Sequence, residues 1–181
     1  PAKQNHELGV TDLLQAVVDT LPNVESRSGQ VTMANAIADA IENKRHLIVQ
    51  AGTGTGKTLG YLVPAIASGQ RVVVSTYTKA LQDQLAKHDL PVLSSALTPI
   101  LGREISWAVL KGRNNYLCAQ RIAEIREPKQ HKLDLQEFSA QVKSDIDKLV
   151  AWSETTTTGD SGDLSWTPRD AAWRHVSIGK I

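Results

Sequence analysis

The stretch His46-Leu47-Ile48-Val49-Gln50-Ala51-Gly52-Thr53-Gly54-Thr55-Gly56-Lys57-Thr58, with the apolar run Leu59 to Ala67 behind it, decides the fold. The short apolar run before Ala51 predicts a buried strand, and the run after Thr58 a helix that Pro64 deprives of one backbone hydrogen bond and kinks. Between them Gly52, Gly54 and Gly56 let backbone N–H groups converge on an anion, to which the helix N-terminus adds its positive end. Lys57 then reaches the β- and γ-oxygens of a nucleoside triphosphate, and the Thr58 hydroxyl ligates Mg²⁺. Ala51, Thr53 and Thr55 complete the loop. A merely structural glycine turn would not require strand, Lys-Thr and helix to coincide.

Working outward, Arg71-Val72-Val73-Val74-Ser75 predicts a second buried strand, Ala80 to Lys87 a crossover helix, and Ile105 to Leu110 a third strand. Strand and helix alternating at this spacing imply an α/β fold, a parallel sheet with helices on both faces. Upstream, Leu13, Leu14, Val17, Val18 and Leu21 share one helical face, with Thr11 as N-cap and Pro22 as stop, and Val31 to Ile41 repeat the pattern as far as Asn43. After Lys111 the alternation ends. Asn114 to Arg126 and Leu133 to Trp152 predict helices, the second with Leu135, Phe138, Val142, Ile146 and Leu149 in one stripe. Glu154 to Asp163 predicts a loop, and Thr167-Pro168-Arg169-Asp170 opens a last helix. The expected division is 1–110 and 111–181.

Composition bounds the function. The 181 residues are 41% hydrophobic and 22% charged, with a net charge of +1, an ordinary globular balance that neither announces nor forbids nucleic acid. No apolar run approaches the roughly 18 residues that a membrane span needs, so a cytoplasmic protein without a membrane partner is expected. The single cysteine, Cys118, excludes an internal disulfide framework and any metal site of several thiolates built from this chain alone. Pro1 without an initiator Met, and an apolar-periodic run into Ile181, lead us to expect a piece of a longer protein.

Four segments in order carry a family resemblance: Arg27-Ser28-Gly29-Gln30; Gln50 to Ala65; Ser75-Thr76-Tyr77-Thr78-Lys79-Ala80-Leu81-Gln82-Asp83-Gln84-Leu85; and Lys111-Gly112-Arg113-Asn114-Asn115-Tyr116-Leu117-Cys118. The form Ala-x-x-Gly-x-Gly-Lys-Thr resembles the first motif of superfamily-2 helicases, and the set resembles the DinG/XPD-type iron–sulfur DNA helicases. The resemblance implies a RecA-like P-loop motor domain in its N-terminal part, followed by a partial helical iron–sulfur domain. It implies ATP and Mg²⁺ as ligands, with Lys57 and Thr58 catalytic, and Gln30 reading the adenine edge, as a side-chain amide can through N6 and N7, with Arg27 beside it. Thr76, Thr78 and Gln84 would grip the phosphates of single-stranded or forked DNA. Cys118 would be one of four ligands of a [4Fe–4S] cluster.

The stretch Arg103 to Lys132, in which Lys and Arg outnumber Asp and Glu and Trp107 and Tyr116 are interleaved, suits a single strand by phosphate attraction and stacking, or equally a solvated surface. Trp152, Trp166 and Trp173 are expected in the core of the second part. ATP hydrolysis needs an Asp-Glu pair to hold Mg²⁺ and activate water, and no Asp-Glu dipeptide occurs in these residues. The piece is therefore expected to bind ATP·Mg without useful hydrolysis or unwinding. Two other readings compete with the translocating 5′→3′ helicase: a small-molecule P-loop kinase, and a non-catalytic nucleotide-dependent nucleic-acid-binding module. The ending Ser75-Thr76-Tyr77-Thr78 of the second strand lacks the acidic substrate-orienting residue of a kinase.

Overall fold

The computed structural model describes residues 8–22, 27–127 and 138–179. It divides into two compact units, Pro1–Val109 and Leu110–Ile181, each with its own core.

In the first unit α1 (Val10–Asp19) and α2 (Ser28–Glu42) form where the periodic apolar residues predict them. The cap of α1 differs from expectation. Gly9 is the N-cap and its N–H is held by the Asp12 carboxylate at 3.0 Å, while Thr11 lies inside the helix and hydrogen-bonds Asn35. The helix after the glycine turn, α3 (Lys57–Ala67), runs through Pro64 without a break. Pro64 is fully buried, so the cost of its missing N–H is met by packing. Next come α4 (Lys79–Gln84), a single π turn (Leu85–Asp89) and α5 (Leu90–Leu101). No element was expected between Lys87 and Ile105, where α5 forms. Pro91 follows directly on the π turn, whose Leu90 N–H bonds Leu85 O, so helical backbone runs from Lys79 through the proline to Leu101. Leu13, Leu14 and Val17 of α1, Leu62 and Val63 of α3, and Leu85, Leu93, Leu97 and Ile105 form the core. Burial of such aliphatic side chains contributes about 1.5–3 kcal/mol each.

None of the three expected strands is paired among the described residues. Among the described residues no sheet ladder forms around 46–50, 71–75 or 105–110, and only two isolated bridges occur, both in the second unit. Ile48 is 97% exposed and Val73 88%, where a strand buried on both faces would expose neither. The physical reason is that a helix closes its hydrogen bonds locally, whereas a strand is stable only against neighbours.

The second unit is built from α6 (Ala119–Arg126), α7 (Ala140–Trp152) and α8 (Asp170–Val176). Ile122, Ile125, Val142, Ile146, Leu149, Ala172 and Val176 form its core, and Phe138, Trp152, Trp166 and Trp173 pack on it, as the tryptophan reading expected. Three local expectations change. The helix foreseen from Asn114 starts at Ala119, after a 3-10 turn (Arg113–Asn115) and an extended stretch. The helix foreseen from Leu133 is described from Ala140, capped by the Ser139 hydroxyl; Leu135 lies outside the described residues. At α8 the cap comes from another helix: the Asp145 carboxylate of α7 accepts the Arg169 N–H at 3.0 Å.

Candidate functional site

The glycine loop enters α3 through two left-handed residues, Gly54 (φ +77°) and Gly56 (φ +72°), a conformation that an L side chain adopts only with strain. Gly56 is the N-cap and brings no side chain, so no side-chain cap claims the first N–H groups of α3. That end of an eleven-residue helix is suited to anionic oxygens. The loop's cation is turned back on its own backbone: the Lys57 ammonium donates to Gly52 O at 2.6 Å and Ala51 O at 3.2 Å. The Thr55 hydroxyl donates to Gly52 O at 3.0 Å. Phosphate oxygens would replace these carbonyls as acceptors for Lys57, and they are stronger partners because they carry charge.

The approach of α2 fixes the loop. Gln30 is 3% exposed, and its Nε2 donates to Gly56 O at 2.9 Å, the same carbonyl that accepts the Gly60 N–H. A Cβ on Gly56 would stand 2.2 Å from that nitrogen, and one on Gly60 3.3 Å from the Met33 sulfur, so both glycines permit the close contact of α2 with α3. The Arg27 guanidinium lies 3.9 Å from where a Gly54 Cβ would be. Thus Arg27 and Gln30 gather at the loop Ala51–Thr58, as the sequence order alone could not show.

Thr58 is the metal-suited hydroxyl of the loop, and Mg²⁺ bound there would take its other ligands from phosphates and water. Beside it stands Tyr61, one helical turn on. Burial pushes the Tyr61 phenol up, the Thr58 hydroxyl pulls it down, and the Asp89 carboxylate pushes it up again. It therefore stays a neutral hydroxyl throughout the physiological range. Asp89 closes the π turn; its own carboxyl is raised by burial and lowered by the Gln84 amide, whose Nε2 lies 3.4 Å from it. Tyr61 and Asp89 escaped the sequence reading, although the spacing of three from Thr58 was a usable signal for Tyr61.

Thr76, Thr78 and Gln84 stand at the entry to and the end of α4. The Thr78 hydroxyl is the N-cap acceptor for the Leu81 N–H at 3.3 Å, and the Thr76 hydroxyl donates to Thr78 O at 3.3 Å. Their side chains shape the junction, and Tyr77 between them is fully exposed.

Residues 31–126 match the DEAD/DEAH box helicase family. The chain belongs to the DEAD/DEAH box helicases. Within that family it is DinG-like. It is 43% identical over 183 residues to the ATP-dependent helicase DinG of Mycobacterium tuberculosis, covering 94% of this chain and 27% of that protein. It is 44% identical over 158 residues to the ATP-dependent DNA helicase YoaA of Escherichia coli, covering 87% of this chain and 23% of that protein. The 3′-5′ exonuclease DinG of Bacillus subtilis is 33% identical over 155 residues, covering 83% of this chain and 16% of that protein. The chain thus spans about a quarter of the first relatives it matches. Membership in the DEAD/DEAH box family implies a RecA-like α/β fold.

In this DinG-like chain the Lys111-to-Cys118 segment is a structural hub of the second unit. Lys111 is buried and paired with Asp160 at 2.7 Å, and the Lys111 N–H donates to the Tyr116 hydroxyl at 2.9 Å. Asn115 Nδ2 donates to Gly112 O at 2.9 Å, and the Trp173 indole donates to Asn114 O at 2.8 Å. Leu117 N–H bonds Gly159 O and Cys118 N–H bonds Val176 O, so Cys118 is held at the N-cap of α6 and is partly exposed. An iron–sulfur cluster takes four thiolates, and this chain offers one. The donor set here does not complete such a group, and among the described residues no three His, Cys, Asp or Glu side chains converge on a metal position.

Several cations of the basic stretch have partners within the fold. Lys111 is buried in its ion pair, Arg103 donates to Ile66 O, Arg121 to Arg174 O at 2.7 Å, and Arg126 to Glu154 at 3.1 Å. Arg113 is exposed, and Lys129 and Lys132 lie outside the described residues.

Proposed function

We propose that the chain is the N-terminal portion of an ATP-dependent DNA helicase that moves 5′→3′ on single-stranded DNA by coupling ATP hydrolysis to motion between motor domains. The observation that carries the reading is the glycine loop itself: two left-handed glycines, an uncapped helix N-terminus and Lys57 resting on loop carbonyls that phosphates would displace. In this reading residues 1–110 belong to the first RecA-like motor domain and their extended runs join its parallel sheet. Residues 111–181 belong to the helical cluster-bearing domain, with Cys118 as one of four [4Fe–4S] ligands and the rest supplied by other parts of the protein.

Lys57 stabilises charge on the β- and γ-oxygens, and Thr58 orients Mg²⁺. Gly52, Thr53, Gly54, Thr55 and Gly56 present backbone N–H groups, Arg27 and Gln30 meet the base side, and Thr76, Thr78 and Gln84 hold DNA phosphates on a single strand or fork. The names of the DinG and YoaA relatives, ATP-dependent helicases both, support the ATP and DNA assignments. Among the described residues no helix is long and apolar enough to cross a membrane, and we place the protein in the cytoplasm, acting in DNA repair. The chain alone binds ATP·Mg without turning it over. The test is the ATPase of the whole protein with and without single-stranded DNA. Stimulation by DNA, lost in Lys57→Ala with DNA binding retained, is the expected result; an ATPase indifferent to DNA overturns the helicase reading. Cys118→Ser should lower the iron content of the whole protein, and an unchanged iron content removes the ligand assignment.

A further inference from the structure

A chain of polar groups runs from the glycine loop to α4. Tyr61 lies one turn beyond Thr58 on the same face of α3, and the Thr58 hydroxyl acts on its phenol as a hydrogen-bond partner. Tyr61 packs on the same core as Leu85 and Leu90, the residues that open and follow the π turn, and the Asp89 carboxylate at the end of that turn is near enough to push the phenol up. Asp89 in turn accepts an N–H of Gln84 Nε2 at 3.4 Å. Residues five apart, as Gln84 and Asp89 are, stand about 1.4 turns apart in an α-helix and lie on different faces. The π turn, in which the Leu90 N–H reaches back to Leu85 O, has that five-residue spacing and lets the two side chains meet.

We propose that Tyr61 and Asp89 are positioning residues that couple occupancy of the glycine loop to the grip of Gln84 on single-stranded DNA. The inference rests on the roles proposed above for Thr58 at Mg²⁺ and for Gln84 at a DNA phosphate, and adds the link between them. With its oxygen on Mg²⁺, the Thr58 hydroxyl is a stronger donor to the Tyr61 oxygen, and Tyr61 donates its own O–H to Asp89. A carboxylate accepts several bonds at once, so Asp89 holds Tyr61 and Gln84 together, and the Gln84 amide keeps its second N–H for a phosphate oxygen. Fixing Asp89 fixes the exposed Gln84 side chain before the strand arrives, which removes part of the ordering cost of binding. Linkage makes the effect reciprocal: DNA held by Gln84 tightens Mg²⁺-nucleotide binding by the same factor. One net hydrogen bond sets that factor at about two- to twelve-fold.

The experiment measures, by fluorescence anisotropy, the affinity of the whole protein for a labelled oligothymidylate, without nucleotide and with a saturating non-hydrolysable ATP analogue and Mg²⁺. The proteins are wild type, Tyr61→Phe, which loses only the phenol oxygen, Asp89→Leu, which keeps the volume without an acceptor, and the double variant. Wild type binds the strand about two- to twelve-fold more tightly with the analogue. In each variant that keeps the wild-type hydrogen-exchange pattern of α3 and α4 the ratio falls to about one, and the double variant loses no more than either single change, because all three break the same chain. A wild-type ratio of one, or a ratio that either folded single variant preserves, overturns the coupling. Wild type without Mg²⁺-dependent affinity for the analogue overturns the nucleotide reading, and wild type that does not bind the strand overturns the DNA reading, so the three failures are distinct.

Discussion

Replacing Gly56 with alanine imposes two separable burdens on the loop. The first is conformational: at φ +72° an L residue carries strain of about 1–2 kcal/mol. The second is steric. The new Cβ stands 2.2 Å from Gln30 Nε2 and 3.0 Å from its Cδ, so the amide must move, and the side chain has little free space because it is 3% exposed. Moving it forfeits the bond to Gly56 O, about 0.5–1.5 kcal/mol net. The total is about 1.5–3.5 kcal/mol against the helix-entry geometry of α3. In a Gln30→Ala background the obstacle is gone and only the φ strain remains, so Gly56→Ala there costs about 1–2 kcal/mol. The coupling between the two substitutions is read as a double-mutant cycle from the opening free energies of α3 amides by hydrogen exchange. A cost of Gly56→Ala below about 0.5 kcal/mol, or the same cost in both backgrounds, would refute the contact on which the loop's description rests.

Three further outcomes follow from the same geometry. Lys57→Ala leaves the helices of the first unit folded, since the ammonium bonds only loop carbonyls, yet removes Mg²⁺-nucleotide affinity; circular dichroism and nucleotide titration check both halves. Asp160→Asn removes the negative charge paired with the buried Lys111 ammonium and destabilises the second unit by about 3–5 kcal/mol, while the double change Lys111→Met, Asp160→Leu costs less than that; urea unfolding of the pair decides it. Asp145 is held below the ordinary carboxylate range, first by the Arg169 backbone N–H and then by its guanidinium, against the opposing effect of burial. Its folded value is lower than its unfolded one, so its stabilisation is present above the usual value of 3.8 and is lost as pH falls through the folded value. The stability gap between wild type and Asp145→Asn should therefore narrow on acidification below about pH 4, and a gap that stays constant refutes the assignment.

How much could be read in advance depended on how local each interaction is. The glycine loop was legible because its glycines, Lys57 and Thr58 are consecutive and each has one physical job. The faces of α1, α2 and α7 were legible because their apolar residues repeat at helical spacing, and the stripe Phe138, Val142, Ile146 and Leu149 lies on the core as expected. The sheet was a different matter. Runs such as Arg71 to Ser75 reveal a liking for extended backbone, but a strand's partner is chosen by residues far away, and here those runs remain unpaired. Capping misled for the same reason, since the N–H opening α8 is taken by Asp145 on another helix. Charge misled too. A lysine in a basic stretch reads as surface, yet Lys111 is buried and paired with Asp160, far along the chain. Gln30 was legible as a site residue, but its bond to Gly56 O spans twenty-six positions and became visible only in the folded chain.

The account turns on the anion cradle between Gly52 and Thr58, and calorimetric titration of ATP and ADP into the whole protein, with and without Mg²⁺, addresses it directly. Saturable one-to-one binding that tightens with Mg²⁺ and disappears in Lys57→Ala is predicted. Heats indistinguishable from dilution in folded wild-type protein, or binding that Lys57→Ala leaves intact, would contradict it.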